Sequence, residues 1–174
     1  MPTTAEINLK ISVQDRGGNV LTGGPRFNVA LDYLQKLTDG TGADNLDLAY
    51  VDERSVNAST DDDIDLTGSL STALGVAFDA AEIVAIVIIN APFKTTDPAN
   101  VSDLTIGGAT NPFIGFLGAT HTIGPIKPGG AFMLAAGDAA GIGTVTAATA
   151  DILRIANGAG GTAKYQIAIL ARSS

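Results

Sequence analysis

An all-β fold, built as an antiparallel β-sandwich, is the class this sequence predicts. Three observations predict it. Apolar and polar side chains alternate along much of the chain, as in Ile7, Leu9, Ile11 and Val13 against Asn8, Lys10 and Ser12. A period of two turns one face of an extended chain toward a core. Clusters of Gly, Pro, Asn and Asp interrupt the apolar stretches about every 8–12 residues, the spacing of short strands joined by turns. The 174 residues are 45% hydrophobic with no Trp, six Phe and three Tyr, so Ile, Val, Leu and Ala must fill the core. This length suits one domain, residues 1–174, with a full core.

Each element follows from its local pattern. Ile7 to Val13 reads as a half-buried strand; the turn residues of "QDRGGN" follow, and Val20 to Thr22 is a possible short return strand. Phe27 to Leu37 is ambiguous. Val29, Ala30, Tyr33, Leu34 and Leu37 fit a helix face with Asn28 as N-cap, and this local signal leans to helix. Phe27, Val29, Leu31 and Tyr33 also alternate as in a strand. After the loop "DGTGADN", Leu46 to Val56 reads as a strand with Leu46, Leu48 and Tyr50 on one face. "NASTDDD" reads as a polar turn, Ile64 to Leu66 as a short strand, and "GSLSTALG" as one helical turn. Glu82 to Ala91 is a β-branched run of the kind found in a central strand covered on both faces. "LTIGG" is a short strand, and "NPFIGFLG", broken by Pro and Gly, an irregular segment. The last third reads as a meander of "HTIGPI", "AFMLAA", "GTVTAA", "DILRIAN" and "AKYQIAILA".

Composition narrows the function. The formal net charge is −8, with 16 acidic and 6 basic residues in 1–103 against 2 and 4 in 104–174. Such a chain is repelled by nucleic acid and anionic membranes. Its acidic half serves solubility or faces a basic protein. Without Cys there is no disulfide, thiolate nucleophile or Cys-based metal site. The start "MPTTAEINLK" lacks the pattern of a signal peptide, and the longest apolar run, Ile83 to Ile89, is too short to span a bilayer. A soluble protein made in the cytoplasm is expected, with no nucleic-acid or membrane partner.

Several stretches imitate chemical sites. Lys127-Pro128-Gly129-Gly130 sets a Lys beside glycines, as an anion loop would. Here, however, the Lys precedes the glycines and a strand follows, whereas a P-loop has its Lys after them and opens a helix. Pro128 and Gly129 instead fit positions i+1 and i+2 of a type II turn, with Gly130 closing it. "GAGGTAK", Gly158 to Lys164, also lacks a following helix and reads as a hairpin loop. Asp61, Asp62, Asp63 and Asp65 cluster four carboxylates. Their spacing misses the EF-hand pattern, so a solvated acidic turn is expected; if a metal bound, Asp61, Asp63 and Asp65 would share a face. His121 is the single histidine and could serve a hydrolase with an Asp, but no nucleophile elbow accompanies it. Tyr50 and Tyr165 lie on core faces, which leaves no aromatic platform for sugars or bases. No cofactor is expected.

The order of "DGTGADNLDLAYVDERSV", "IDLTGSL", the β-branched strand, "LTIGGATNPFIGFLG", "IKPGGAFML" and "ADILRIANGAGGTAKYQIAILA" resembles small β-rich virion proteins of tailed phages, over about Asp39 to Ala171. The resemblance implies a jelly-roll-like sandwich, commonly trimeric. It implies a capsid decoration, or cement, protein on the outside of the virion that binds the major capsid protein and itself and performs no catalysis. A tail, spike or receptor-binding component is the alternative. The resemblance also favours an extended strand at Phe27 to Leu37, and it leaves residues 1–38 as an N-terminal arm or extra strands.

Overall fold

The computed structural model describes residues 2–16, 26–113, 116–118 and 121–173. In chain order, the strands among them are β1 (Ala5–Arg16), β2 (Arg26–Asp39), β3 (Asn45–Leu46), β4 (Leu48–Val56), β5 (Asp61–Asp65), β6 (Thr67–Ser71) and β7 (Ala77–Asp79). The series continues with β8 (Glu82–Ile89), β9 (Leu104–Gly107), β10 (Thr122–Ile126), β11 (Ala131–Ala135), β12 (Gly143–Thr144), β13 (Ile152–Asn157) and β14 (Ala163–Arg172). The chain is all-β, and its two larger sheets are antiparallel.

One sheet runs β11-β8-β14-β4, with β12 also on β8; the other runs β10-β9-β13-β5. Their pairing is nested. β4 pairs β14, β5 pairs β13, β8 pairs β11 and β9 pairs β10, so the first of these eight strands meets the last and the middle two meet each other. The sequence supports this because each strand carries apolar side chains at alternate positions. In β14, Ala163, Tyr165, Ile167, Ile169 and Ala171 are buried while Lys164 points to solvent. Their partners across the core include Ile64 of β5, Leu104 and Ile106 of β9, and Leu153 and Ile155 of β13. Each fully buried Ile or Leu contributes roughly 1.5–3 kcal/mol. The β6–β7 pair closes one end of this core with Leu70 and Phe78, the latter edge-on to Tyr50 at 6.2 Å between ring centroids.

The central strand β8 has a bulge. Leu170 lies opposite Ala85, but Ala171 lies opposite Ile83. One extra residue on β8 lets Ile83 and Ile86, three apart, both face the main core. Val84 and Ala85 turn to the other side, where a second core forms with Ile7, Leu37 and Leu46. That core is made by the base of a long ribbon: β1 and β2 pair from Ala5↔Leu37 to Arg16↔Arg26, and β2 adds a short parallel contact to β3.

Several expectations are corrected. Phe27 to Leu37 is strand, as the family likeness suggested, and the helix signal is overridden by a continuous ladder to β1. Leu46 does not share a face with Leu48 and Tyr50. The strand breaks at Asp47, which sends Leu46 into the second core and the other two into the first. Asp61 to Asp63 belong to strand β5 rather than to a turn, because neighbouring arginines neutralise them. "GSLSTALG" is strand β6 and a turn instead of a helical turn, since Leu70 reaches the core opposite Phe78. Within "GTVTAA" only Gly143 and Thr144 are strand. The last third is no meander, and "GAGGTAK" is no hairpin loop: β10 and β11, like β13 and β14, lie in different sheets. Turn residues reverse the chain but do not specify which sheet receives it. Gln14 to Arg16 of the proposed turn "QDRGGN" continue β1, while its remainder and the return strand at Val20 to Thr22 lie outside the described residues.

Ile86→Ala, at a site with no exposed surface, should lower the unfolding free energy by about 2–5 kcal/mol. Leu74→Ala, 69% exposed in the turn between β6 and β7, should change it by about 0.5 kcal/mol or less. Urea unfolding of the two variants checks both.

Candidate functional site

The turn at Lys127–Gly130 carries the chain from β10 in one sheet to β11 in the other. The Gly130 N–H donates to the Lys127 carbonyl at 2.7 Å, and Gly129 has φ +76°, the left-handed geometry a type II turn requires at its third position. Lys127 Nζ pairs with Asp103 at 2.6 Å. The Gly129 N–H donates to the Asn90 carbonyl at 2.8 Å, so both glycine amides of the turn are engaged within the chain. In "GAGGTAK" the glycine backbone is similarly engaged. Gly158 N–H donates to Asp103 O, and Gly161 O accepts from Ser102 and from Asn157.

The acidic stretch is divided between two arginines. On the outer face of β5, Asp63 receives Nε and Nη2 of Arg154 at 2.6 and 2.7 Å, and Asp61 lies 3.0 Å from Nη1. Arg154 stands directly opposite Asp63 in the β13–β5 register, which explains the fit. Its hydrogen bond holds the Asp63 carboxyl below its ordinary range. Asp65 accepts from the backbone N–H and the hydroxyl of Thr67. The three carboxylates named for a metal are thus each bonded to a cation or a donor, and among the described residues no group of three or more His, Asp or Glu is placed to hold an ion.

Asp62 points the other way, into the sandwich. Arg54 grips it bidentately, Nε to Oδ2 and Nη2 to Oδ1, both at 2.7 Å. Tyr165 donates its hydroxyl to Oδ2 at 2.7 Å. Arg54 Nη1 donates to the Tyr50 hydroxyl at 3.0 Å, which donates to Asp52 at 2.8 Å. β4 and β5 are the end strands of their sheets on the same side, so this network laces the two sheets together along that edge. Burial pushes the Asp62 carboxyl up, but the bonds from Arg54 and Tyr165 outweigh it and leave it below the ordinary carboxylate range. Burial, then the neighbouring Asp62, pushes the Tyr165 hydroxyl well up, so it stays protonated as a donor. The network was missed in the sequence, although Arg54 stands on the core face of an alternation with Leu48, Tyr50 and Val56. A charge on a core face signals a buried partner.

A second polar set joins loops at one end of the sandwich. The fully buried Asn90 carboxamide donates to Ser102 O and Ile126 O and accepts from Asn100. Asn157 donates to Val56, Asn57 and Gly161 carbonyls. At the opposite end, buried Arg172 donates to the carbonyls of Gly42, Asp138 and Ala139, with Glu82 3.4 Å from its Nε. These groups complete backbone that the sheets leave unpaired. His121 is exposed before β10, and no carboxylate among the described residues bonds its ring. A cleft of about 470 Å³ opens between the β6–β7 turn and the start of β4, lined by Leu48, Leu74 and Val76 with Asp47 and Asp79. Asp47 is held there by the Ser173 N–H and hydroxyl. None of these groups forms a nucleophile–base pair.

Two apolar surfaces stay uncovered among the described residues. On the β1–β2 ribbon, Leu9, Ile11 and Val13 lie opposite Tyr33, Leu31 and Val29, so six large side chains share one face, each 45–53% exposed. The opposite face is mixed: Lys10 pairs with Asp32 there, beside Asn8, Ser12 and the half-exposed Leu34. The outer face of the larger sheet holds an apolar row, Met133, Val87, Ala168 and Val51, in continuous register across four strands. Comparison with protein-family models, with curated proteins and with solved structures finds no match.

Asp62→Asn should destabilise the protein by about 3 kcal/mol near neutral pH, because Arg54 keeps its charge without its partner. The lowered Asp62 pKa means that its ionised form stabilises the fold above about pH 4, and that this is lost as pH falls through the folded-state value. The gap between variant and wild type should close as the medium is acidified. Thermal melts from pH 7 to pH 3 check the sign.

Proposed function

We propose that this chain is a structural virion protein of a tailed bacteriophage: a capsid decoration, or cement, protein on the head exterior. In this reading it forms a homotrimer and stabilises the head through contacts with the major capsid protein. The β1–β2 ribbon carries the proposal. Strands of 12 and 14 residues extend a two-stranded element whose base alone is buried, and they display a continuous apolar face. Cement proteins act by burying area at junctions between subunits and need no reacting groups. Arg54, Arg154 and Arg172 each bind one strand or sheet to another.

We also read the sandwich as a jelly roll. The nested pairing of β4 with β14, β5 with β13, β8 with β11 and β9 with β10 supports this wind, an architecture used in viral capsid domains. A fold hosts many functions, so the displayed surface carries more weight here than the topology.

The test is to mix the purified protein with undecorated capsids and image the particles. Stoichiometric density at capsid symmetry axes is the expected result. Density at the tail alone would move the protein to a tail or receptor-binding role, and no density at all would overturn the virion reading.

A further inference from the structure

We propose that the apolar face of the β1–β2 ribbon docks on a second copy of this chain, against the outer face of the larger sheet at Met133, Val87, Ala168 and Val51. This deepens the self-association in the preceding reading and rests on that part alone, not on the capsid.

The chain itself shows that the two surfaces fit. At the ribbon's base, Ile7 and Leu37 are 6% and 1% exposed, and they pack over Val84 and Ala85 with Ala135, Leu170 and Ala49 beside them. Ala135, Ala85, Leu170 and Ala49 form one row on the sheet's outer face. Met133, Val87, Ala168 and Val51 form the next row on that face, two residues further along every strand. Thus one ribbon face meets one sheet face within the chain, and both continue beyond the contact without cover. Past Ile7 the ribbon presents Leu9, Ile11 and Val13; past Ala49 the sheet presents Val51 at 74% and Met133 at 39% exposure. The ribbon base also passes the edge of that sheet, since Gln35 Nε2 occupies the place a Cβ on Gly137 would take.

Two physical arguments require a partner. A two-stranded ribbon in water is marginally stable on its own and needs a further layer against its apolar face. Six half-exposed side chains of this size offer on the order of 500 Å², as much as the largest patch on a typical monomer, and with a matching surface they reach the area of a small specific interface. A lipid surface fits less well. The chain carries a net charge of −8, which an anionic bilayer surface repels. The ribbon of one copy on the sheet of the next is a head-to-tail contact, which closes into a ring when the rotation permits.

The test uses the full chain. Wild type should sediment as an oligomer at micromolar concentration, while Ile11→Lys with Leu31→Lys should shift it to the 17.5 kDa monomer, a loss of at least tenfold in association. Val51→Lys, on the receiving sheet, should do the same without touching the ribbon. Because the chain has no Cys, an Ile11→Cys protein mixed with a Val51→Cys protein should give a disulfide-linked pair under mild oxidation. A wild type that stays monomeric, lysine variants that keep the oligomeric mass, or Ile11→Cys copies that cross-link only to each other would each overturn the proposal. Failure of capsid binding with these results intact would leave the ribbon contact standing and remove only the virion reading.

Discussion

The pairing of β14 with β4 on one side and β8 on the other is the constraint on which the rest of the fold depends. β14 matches β4 without interruption from Ala163↔Val56 to Ala171↔Leu48. Its alternate residues put Tyr165, Ile167 and Ile169 at the centre of the main core, and Leu170 on the second. Because β4 is thereby fixed at one end of its sheet, Arg54 comes to face Asp62 on the end strand of the other sheet. The bulge opposite Leu170 and Ala171 then divides β8 between the two cores, and that division gives the ribbon its footing. A break in this one ladder would loosen both cores together.

Electrostatics in this chain acts mainly between strands. The acidic excess lies before residue 104, and arginines from elsewhere in the fold meet it: Arg154 of β13 serves Asp61 and Asp63, and Arg54 serves Asp62. A run of aspartates that would repel itself in isolation becomes a strand once those two arginines sit on its opposite faces. Exposed pairs such as Lys10–Asp32 add little. The half-buried, bidentate Arg54–Asp62 pair matters more, because removing either partner strands a charge inside the edge of the sandwich.

Much of this was legible in the sequence, for a physical reason. The period of two in Ile7–Val13 and in Tyr165–Ala171 is set by the backbone itself, so both strands could be read residue by residue; the alternate face of Tyr165–Ala171 is buried as read, whereas in Ile7–Val13 only Ile7 is. So could the β-branched run of β8. What could not be read was which strand would pair with which. "DILRIAN" and "AKYQIAILA" look like the arms of a hairpin, yet they enter opposite sheets, since local turn chemistry carries no long-range address. The helix signal in Phe27 to Leu37 failed because the same apolar positions satisfy both periods, and the ladder to β1 decided between them. The Arg54–Asp62 contact escaped because it joins residues of two sheets, and the ribbon's uncovered face because alternation cannot say whether a face finds a cover.

The nested pairing also sets an order in time. β4 can complete its ladder only when β14 exists, and β5 only when β13 does, so the earliest strands of the sandwich wait for the latest. Pairings of such large sequence separation incur the loss of chain entropy before contacts compensate it, which makes folding slow. During synthesis, the acidic and ribbon-bearing first part of the chain emerges well before its sheet partners. In that interval the four carboxylates of "DDDID" disfavour pairing of an unfinished edge with the same edge of a neighbouring chain, since like charges would be brought together.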